Sequence, residues 1–289
     1  MTTRHVTTTD GLRLAVHESG NPAGPTIVAV HGYPDNHHVW DGIAAELGDR
    51  YRFIAYDVRG AGESDKPRGR AAYRQEQLTA DLVAVVDAVS PGEPVHLLAH
   101  DWGSMQSWDS VSDPGLARRF ASFTSISGPS LAYASRWLRT RGHLKATLRQ
   151  LSSSYYMAAF QLPLLPELAS RAGVIRRGAE KVGGYDPHRG PAETSNGVNL
   201  YRANVLRQLV RTEPRRTTVP TLVLVPNGDK FSSPPVASNA PVPWVDDLTV
   251  REVDGGHWVV LRSPAVIAEQ VRGFIDGRSP VSEKKKARR

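Results

Sequence analysis

Val95-His96-Leu97-Leu98-Ala99-His100-Asp101-Trp102-Gly103-Ser104 is the stretch on which the fold turns. Val95 to Ala99 is a short apolar run of strand length, and a helical pattern follows from Ser104 to Ser112. Between them an acidic residue stands in the form small-x-Asp-x-small, with Ala99 and Gly103 as the small neighbours. In a nucleophile elbow a strained strand-to-helix turn lifts one side chain clear of a sheet, and only small neighbours fit. The lifted residue is usually Ser. Asp101 changes the chemistry, because a carboxylate is ionised at neutral pH and displaces a leaving group at saturated carbon without a base to take its proton. Alone, the pattern has a duller explanation, since an Asp between strand and helix commonly caps the helix.

Two further sites stand where a nucleophilic Asp needs them, in the chain order nucleophile, acid, histidine. Asp229 closes Pro226-Asn227-Gly228-Asp229 just beyond the apolar run Thr221 to Val225, and open α/β sheets carry functional residues at the carboxyl ends of strands. His257 follows Gly255-Gly256 beyond the last strand-like run and precedes a helix beginning near Pro264. In these places His257 is the base that activates water against an Asp101 ester, and Asp229 orients its ring. Cleaving an ester creates an oxyanion, which needs backbone donors near the elbow. His31-Gly32-Tyr33-Pro34 closes an early strand, so the amides of Tyr33 and Trp102 are the candidate oxyanion hole, with Pro34 a candidate cis-proline. A turn-forming Asp and a strand-terminating turn are the ordinary alternatives for Asp229 and for this segment.

Short apolar runs alternate with longer amphipathic stretches, the signature of a parallel sheet with helices on both faces. The runs are Leu12 to His17, Thr26 to His31, Phe53 to Tyr56, Val95 to Ala99, Ala121 to Ile126, Thr221 to Val225 and Leu248 to Val253. Helices fit at Trp40 to Leu47, Gln75 to Val89, Ser104 to Ser112 and Pro264 to Ile275. From Pro129 to about Arg216 the alternation stops and the text is helical, broken at Pro163, Pro166, Gly183-Gly184 and Pro187 to Pro191. The expected organisation is a core over 1–128 and 217–278, a helical insertion over 129–216 and a basic tail or linker over 279–289.

Composition narrows the function classes. The 289 residues contain no cysteine, which excludes disulfides, thiolate metal sites and a cysteine nucleophile. The net charge of +7 owes five charges to Lys284 to Arg289, and the rest includes an insertion with fifteen basic against five acidic residues. A solvated face is the plain meaning of that excess; no groove-reading element accompanies it, so nucleic acid is not an expected partner. No apolar run approaches the ~20 residues that span a bilayer, and the polar, Thr-rich start has no apolar core of a signal peptide, so a cytoplasmic location is expected.

At these residues the chain resembles the epoxide hydrolases of the α/β-hydrolase superfamily over nearly its whole length. His31-Gly32-Tyr33-Pro34 is similar to their HGxP motif, Asp57-Val58-Arg59-Gly60-Ala61-Gly62-Glu63-Ser64 to DxRGxGxS, and His100-Asp101-Trp102-Gly103 to HDWG. The resemblance implies a mostly parallel sheet flanked by helices, with an all-helical cap inserted after the sixth strand. It also implies conversion of an apolar epoxide, lipid or aryl, to a vicinal diol with water and with no cofactor or metal. In that family two cap tyrosines hold and protonate the epoxide oxygen, and the resemblance places them at Tyr156 and Tyr201, with Tyr155 a neighbour that competes for the first role. A phenol suits the task because it stays protonated at neutral pH. The chain is also similar to the N-terminal domain of mycobacterial proteins that join an epoxide hydrolase to a short-chain dehydrogenase, which implies a C-terminal dehydrogenase domain in a longer protein. A homodimer is a compatible assembly.

Two other functions remain open on the residues. Haloalkane dehalogenases share the HDWG motif, and Trp102 offers one indole donor to a halide; the second, an Asn at the position of Tyr33 or a cap Trp, has only Trp137 to fill it. A non-catalytic carrier on the same fold is the other, and it has no need of a complete nucleophile, base and acid.

Overall fold

The computed structural model describes residues 1–211 and 213–277. Among them one sheet contains β1 (Thr2–Thr7), β2 (Arg13–Gly20), β3 (Thr26–Val30), β4 (Arg52–Tyr56), β5 (Val95–His100), β6 (Phe120–Ile126), β7 (Thr221–Pro226) and β8 (Leu248–Val253). Its spatial order is β1-β2-β4-β3-β5-β6-β7-β8. β2 pairs antiparallel with β1 and with β4, and every pair from β4 across to β8 is parallel. The central strands β3 and β7 are buried on both faces and are therefore written as unbroken apolar runs. β1 escaped the reading above because Val6 is its only buried residue, so its sequence has no apolar alternation. With β1 counted, β6 is the sixth strand.

Successive side chains on a strand point to opposite faces, and the core divides accordingly. Val28, Val30, Leu97 and Ala99 face one layer, with Leu82 and Val85 of helix Gln75–Val89 and Trp108 of helix Trp102–Val111. Ile27, Ala29 and Leu98 face the other, with Ile43 and Leu47 of helix Asp41–Leu47 and Ile267 and Val271 of helix Pro264–Asp276. In chain order the first three helices are α1 (Asp41–Leu47), α2 (Gln75–Val89) and α3 (Trp102–Val111).

Between β6 and β7 the described residues form helices only. These are α4 (Leu131–Leu138), α5 (Leu144–Ser153), α6 (Tyr155–Ala159), α7 (Leu165–Arg171), α8 (Val174–Lys181), α9 (Pro191–Asn196) and α10 (Val198–Arg211). Pro166 and Pro191 sit in the first turns of α7 and α9, where a missing amide proton costs little. Two short helices in the second part of the core, Pro234–Asn239 and Val259–Arg262, had no expectation attached to them. The basic segment expected at 279–289 lies outside the described residues.

The chain leaves β3 toward β4 on one side and returns to β5 on the other. The β3–β5 boundary is thus a topological switch point, where crossovers diverge and leave a crevice at the strands' carboxyl ends. Tyr33 follows β3 and Asp101 follows β5 at that boundary, while Asp229 and His257 follow β7 and β8.

Candidate active site

Asp101 has φ 51° and ψ −125°, a backbone conformation that L-residues rarely adopt. Its side chain makes no cap bond to α3, which removes the plain capping explanation. Instead the Tyr33 amide donates to Asp101 Oδ1 at 2.7 Å, and the backbone of Trp102, next in the chain, helps keep the carboxylate ionised. The crowding explains the small neighbours: a Cβ on Gly103 would lie 2.1 Å from the Val30 carbonyl oxygen, and one on Gly32 would lie 2.4 Å from Asp101 Oδ1.

His31 fixes the turn that presents the Tyr33 amide. Its Nδ1 lies 2.9 Å from the Gly32 carbonyl, which only accepts, and its Nε2 receives the Val58 amide at 2.9 Å. The ring is therefore the neutral Nδ1–H tautomer, and complete burial lowers its pKa in keeping with that. The Tyr33–Pro34 peptide is cis, and the Tyr33 hydroxyl donates to Thr194 O of the helical insertion at 2.8 Å.

His257 lies between two carboxylates. Its Nδ1 faces Asp229 Oδ2 at 3.0 Å and its Nε2 faces Asp101 Oδ2 at 3.4 Å. Asp229 is itself aimed by the Phe231 and Ser232 amides, which donate to Oδ1 at 2.8 and 3.1 Å. His100 Nε2 donates to the His257 carbonyl at 2.8 Å, tying the histidine loop to the elbow. Burial pushes the His257 pKa down, but the charge of Asp229 and the contacts with Asp101 outweigh it and raise the group to about 10. Burial alone would raise Asp101 and Asp229; the facing His257 holds both below the ordinary carboxylate value. The three shifts agree, each favouring a charged ring between two ionised carboxylates.

The insertion roofs this trio with aromatic rings. Tyr201, on α10, meets Trp102 at 5.0 Å and Tyr33 at 5.3 Å between ring centroids, and Tyr156, on α6, meets Tyr201 at 5.8 Å. Tyr155 is 75% exposed, so of the two neighbours Tyr156 is the one turned inward. Burial raises both inward phenols, and the Asp101 charge adds to it, so both stay protonated far above neutral pH. Trp137 stacks on His143 at 3.9 Å instead of joining this cluster.

A sequence model described as the alpha/beta hydrolase fold matches residues 25–264. The chain belongs to the α/β-hydrolase family. The chain is 36% identical over 299 residues to Mycobacterium tuberculosis "Probable oxidoreductase EphD", covering 96% of this chain and 50% of the relative. It therefore spans about half the length of the EphD proteins it matches. Epoxide hydrolase A of the same organism is 31% identical over 204 residues, covering 68% of this chain and 59% of that one. Among solved structures, a metagenomic epoxide hydrolase from hot environments superposes with a TM-score of 0.78 at 24% identity, covering 95% of this chain and 98% of that one. The Bacillus megaterium epoxide hydrolase does so with 0.77 at 20%, covering 94% and 100%. At those identities the structural likeness shows the fold.

Several residues that shape the site were not singled out from the sequence. Phe231 packs on His257 at 4.9 Å and on Tyr156 at 5.7 Å, joining acid loop to insertion. Asp35 accepts from Trp258 Nε1 at 3.0 Å and pairs with Arg189, whose guanidinium also lies 5.6 Å from the Trp258 ring centre and donates to Pro34 O. This fully buried clamp fastens the insertion to the core beside His257. Its only sequence signal is that Asp35 and Trp258 directly follow two of the motifs; Arg189 has none. Asp101, Asp229 and His257 are buried, and a cavity of about 20 Å³ lined by Tyr33, Trp102 and Leu200 has room for one water. A larger one, about 680 Å³, lies between α3 and α10 and is lined by none of the candidate catalytic residues.

Proposed function

We propose that this hydrolase opens an apolar epoxide to a vicinal diol through a covalent ester on Asp101, with residues 129–216 acting as a cap that supplies Tyr156 and Tyr201. The observation that carries the reading is the division of labour between the two carboxylate oxygens. Oδ1 is held by the Tyr33 amide, while Oδ2 faces His257 and is the oxygen that attacks. The mycobacterial relative named as an epoxide hydrolase supports the choice of substrate.

In the first step Oδ2 bonds to an epoxide carbon, the C–O bond breaks, and its electron pair goes to the ring oxygen, which takes a phenol proton from Tyr156 or Tyr201. The proton that His257 carries in the resting site restores that phenol. Esterification makes this transfer favourable, because it removes the Asp101 charge that helps hold the His257 proton. Neutral His257 then takes a proton from water as the water attacks Cγ, and the oxyanion forms at Oδ1 under the two amides. The Cγ–Oδ2 bond breaks and its electron pair goes to Oδ2, which takes the proton that His257 gained; the hydroxyl left on Cγ returns a proton to His257, so the diol leaves with Oδ2, the water oxygen stays in the carboxylate, and His257 ends protonated as it began. No step requires a cofactor.

The position of Trp137 away from the site argues against a dehalogenase, which needs a second donor for the halide. The chain covers half the length of the EphD relatives, which leaves room in a longer protein for the C-terminal short-chain dehydrogenase domain that the resemblance implies. Among the described residues no helix is long and apolar enough to cross a membrane, and the reading goes with a cytoplasmic enzyme.

A paired assay tests the proposal: an aryl or fatty-acid epoxide and a bromoalkane are offered to the protein and to Asp101→Ala, and diol and bromide are followed. Diol without bromide, lost in the variant, is expected. Bromide alone would transfer the assignment to dehalogenation, and neither product with any substrate would favour a carrier.

A further inference from the structure

Helix α5 is amphipathic in an unusual sense, because its apolar stripe faces outward. Leu144, Leu148 and Leu151 follow one another at helical spacing and are 71%, 59% and 61% exposed, and Tyr155 continues the stripe four residues on. The opposite side is the one anchored to the protein: Gln150 donates to Phe231 O at 2.9 Å and accepts from the Ser233 amide at 3.0 Å, and Thr147 donates to Leu138 O at 2.9 Å. The leucines are thus turned away from the acid loop on which the helix rests. Around them Arg136, Arg139, Arg141, Lys145 and Arg149 are all exposed, and between Arg136 and Phe160 there is no acidic residue.

We propose that this face of the insertion docks on an anionic lipid surface. An exposed apolar stripe flanked by cations, with no acid in between, is the pattern by which a helix lies in the interface of an acidic bilayer, leucines in the acyl boundary and basic side chains at the headgroups. Among the described residues no helix is long and apolar enough to cross a membrane, so the contact is with the surface. A second copy of the chain is a poorer occupant, because a twofold dimer would set this basic patch against itself. The face also lies one helix from the site: Phe231, whose carbonyl anchors α5, packs on His257, and Tyr155 in the stripe is followed by Tyr156 beside Tyr201. On the epoxide reading, an apolar substrate would enter from the membrane under α5 and α6; the docking itself does not depend on that reading.

The test is flotation of the purified chain with vesicles of phosphatidylcholine alone and of phosphatidylcholine mixed with phosphatidylglycerol. Binding to the mixed vesicles, weakened by salt, is expected. Each basic residue near such a surface contributes about fivefold, so the double variant Lys145→Glu with Arg149→Glu should lower partitioning by on the order of a hundredfold. Leu148→Ser with Leu151→Ser should lower it by at least about tenfold while leaving the circular dichroism spectrum and turnover of a short, water-soluble epoxide unchanged. Equal binding to both vesicle types, no binding to the anionic ones, or indifference to both double variants would overturn the proposal. So would self-association in sedimentation that Leu148→Ser abolishes, which would give the face to a second copy. Because binding is read without turnover, failure of the docking and failure of the epoxide chemistry are distinguishable.

Discussion

The core and the helical insertion contribute to the same site by different means. The core works through backbone: a strained elbow at Asp101, amides at Tyr33 and Trp102, and loops that set Asp229 and His257 at strand ends. The insertion works through side chains, two phenols among rings, held to the core by contacts that include the buried Asp35–Arg189 ion pair and the hydroxyl bond from Tyr33. Their surfaces differ too. Of the large apolar side chains exposed among the described residues, twelve lie between Leu144 and Val210 and four elsewhere, so the apolar surface belongs to the insertion. Any residue but proline supplies a backbone amide, so the core's devices fail only when the turns that aim them are disturbed, whereas a side-chain roof can be weakened one group at a time.

That contrast orders the expected effects. Asp101→Ala should lower diol formation by on the order of 10⁴-fold or more, since the covalent route has no substitute. His257→Gln should instead stop the reaction halfway: epoxide treatment should leave a stable mass increase equal to the substrate, and an unmodified mass would refute the ester. In water enriched in ¹⁸O, a single turnover should label the protein and not the diol. Tyr156→Phe and Tyr201→Phe should each cost about 10²-fold in the alkylation step, the scale of losing one preorganised donor, while Tyr155→Phe changes nothing. If the Tyr155 variant lost the activity instead, the orientation of α6 would be wrong.

Arg189→Met leaves Asp35 buried without its cation and should destabilise the protein by about 3–5 kcal/mol in chemical unfolding. The Asp35→Asn, Arg189→Met double variant should recover part of that loss, as a clamp acting through charge requires.

The smallest effect is in pH. His257 is raised from an ordinary 6.5 to about 10, so the stability that its charge contributes is full below 6.5 and is lost as pH rises toward 10. Asp101 and Asp229 are lowered, so their contribution is present above the ordinary carboxylate range and is lost as pH falls through their folded values. The fall in melting temperature between pH 6.5 and 10 should therefore be shallower in His257→Gln.

What the sequence determined by itself was the central sheet and the positions that end its strands. A strand buried on both faces must be apolar throughout, and an elbow must have small neighbours, so β3, β5, β6 and β7 and the turn at Asp101 are written locally. β1 was hidden because Thr2 to Thr7 holds a single apolar residue, Val6, whereas the other edge strand, β8, still alternates Leu248, Val250 and Glu252 with Thr249, Arg251 and Val253 and was legible. The phenols were legible only through resemblance, because nothing within Tyr155-Tyr156 says which ring faces inward. The tertiary structure decided that, along with the meeting of Asp35, Arg189 and Trp258 from three distant segments, the packing of Phe231 on His257, and the outward turn of the leucines of α5. Each is a relation between elements, and periodicity shows which face of a helix is apolar but not whether that face is covered.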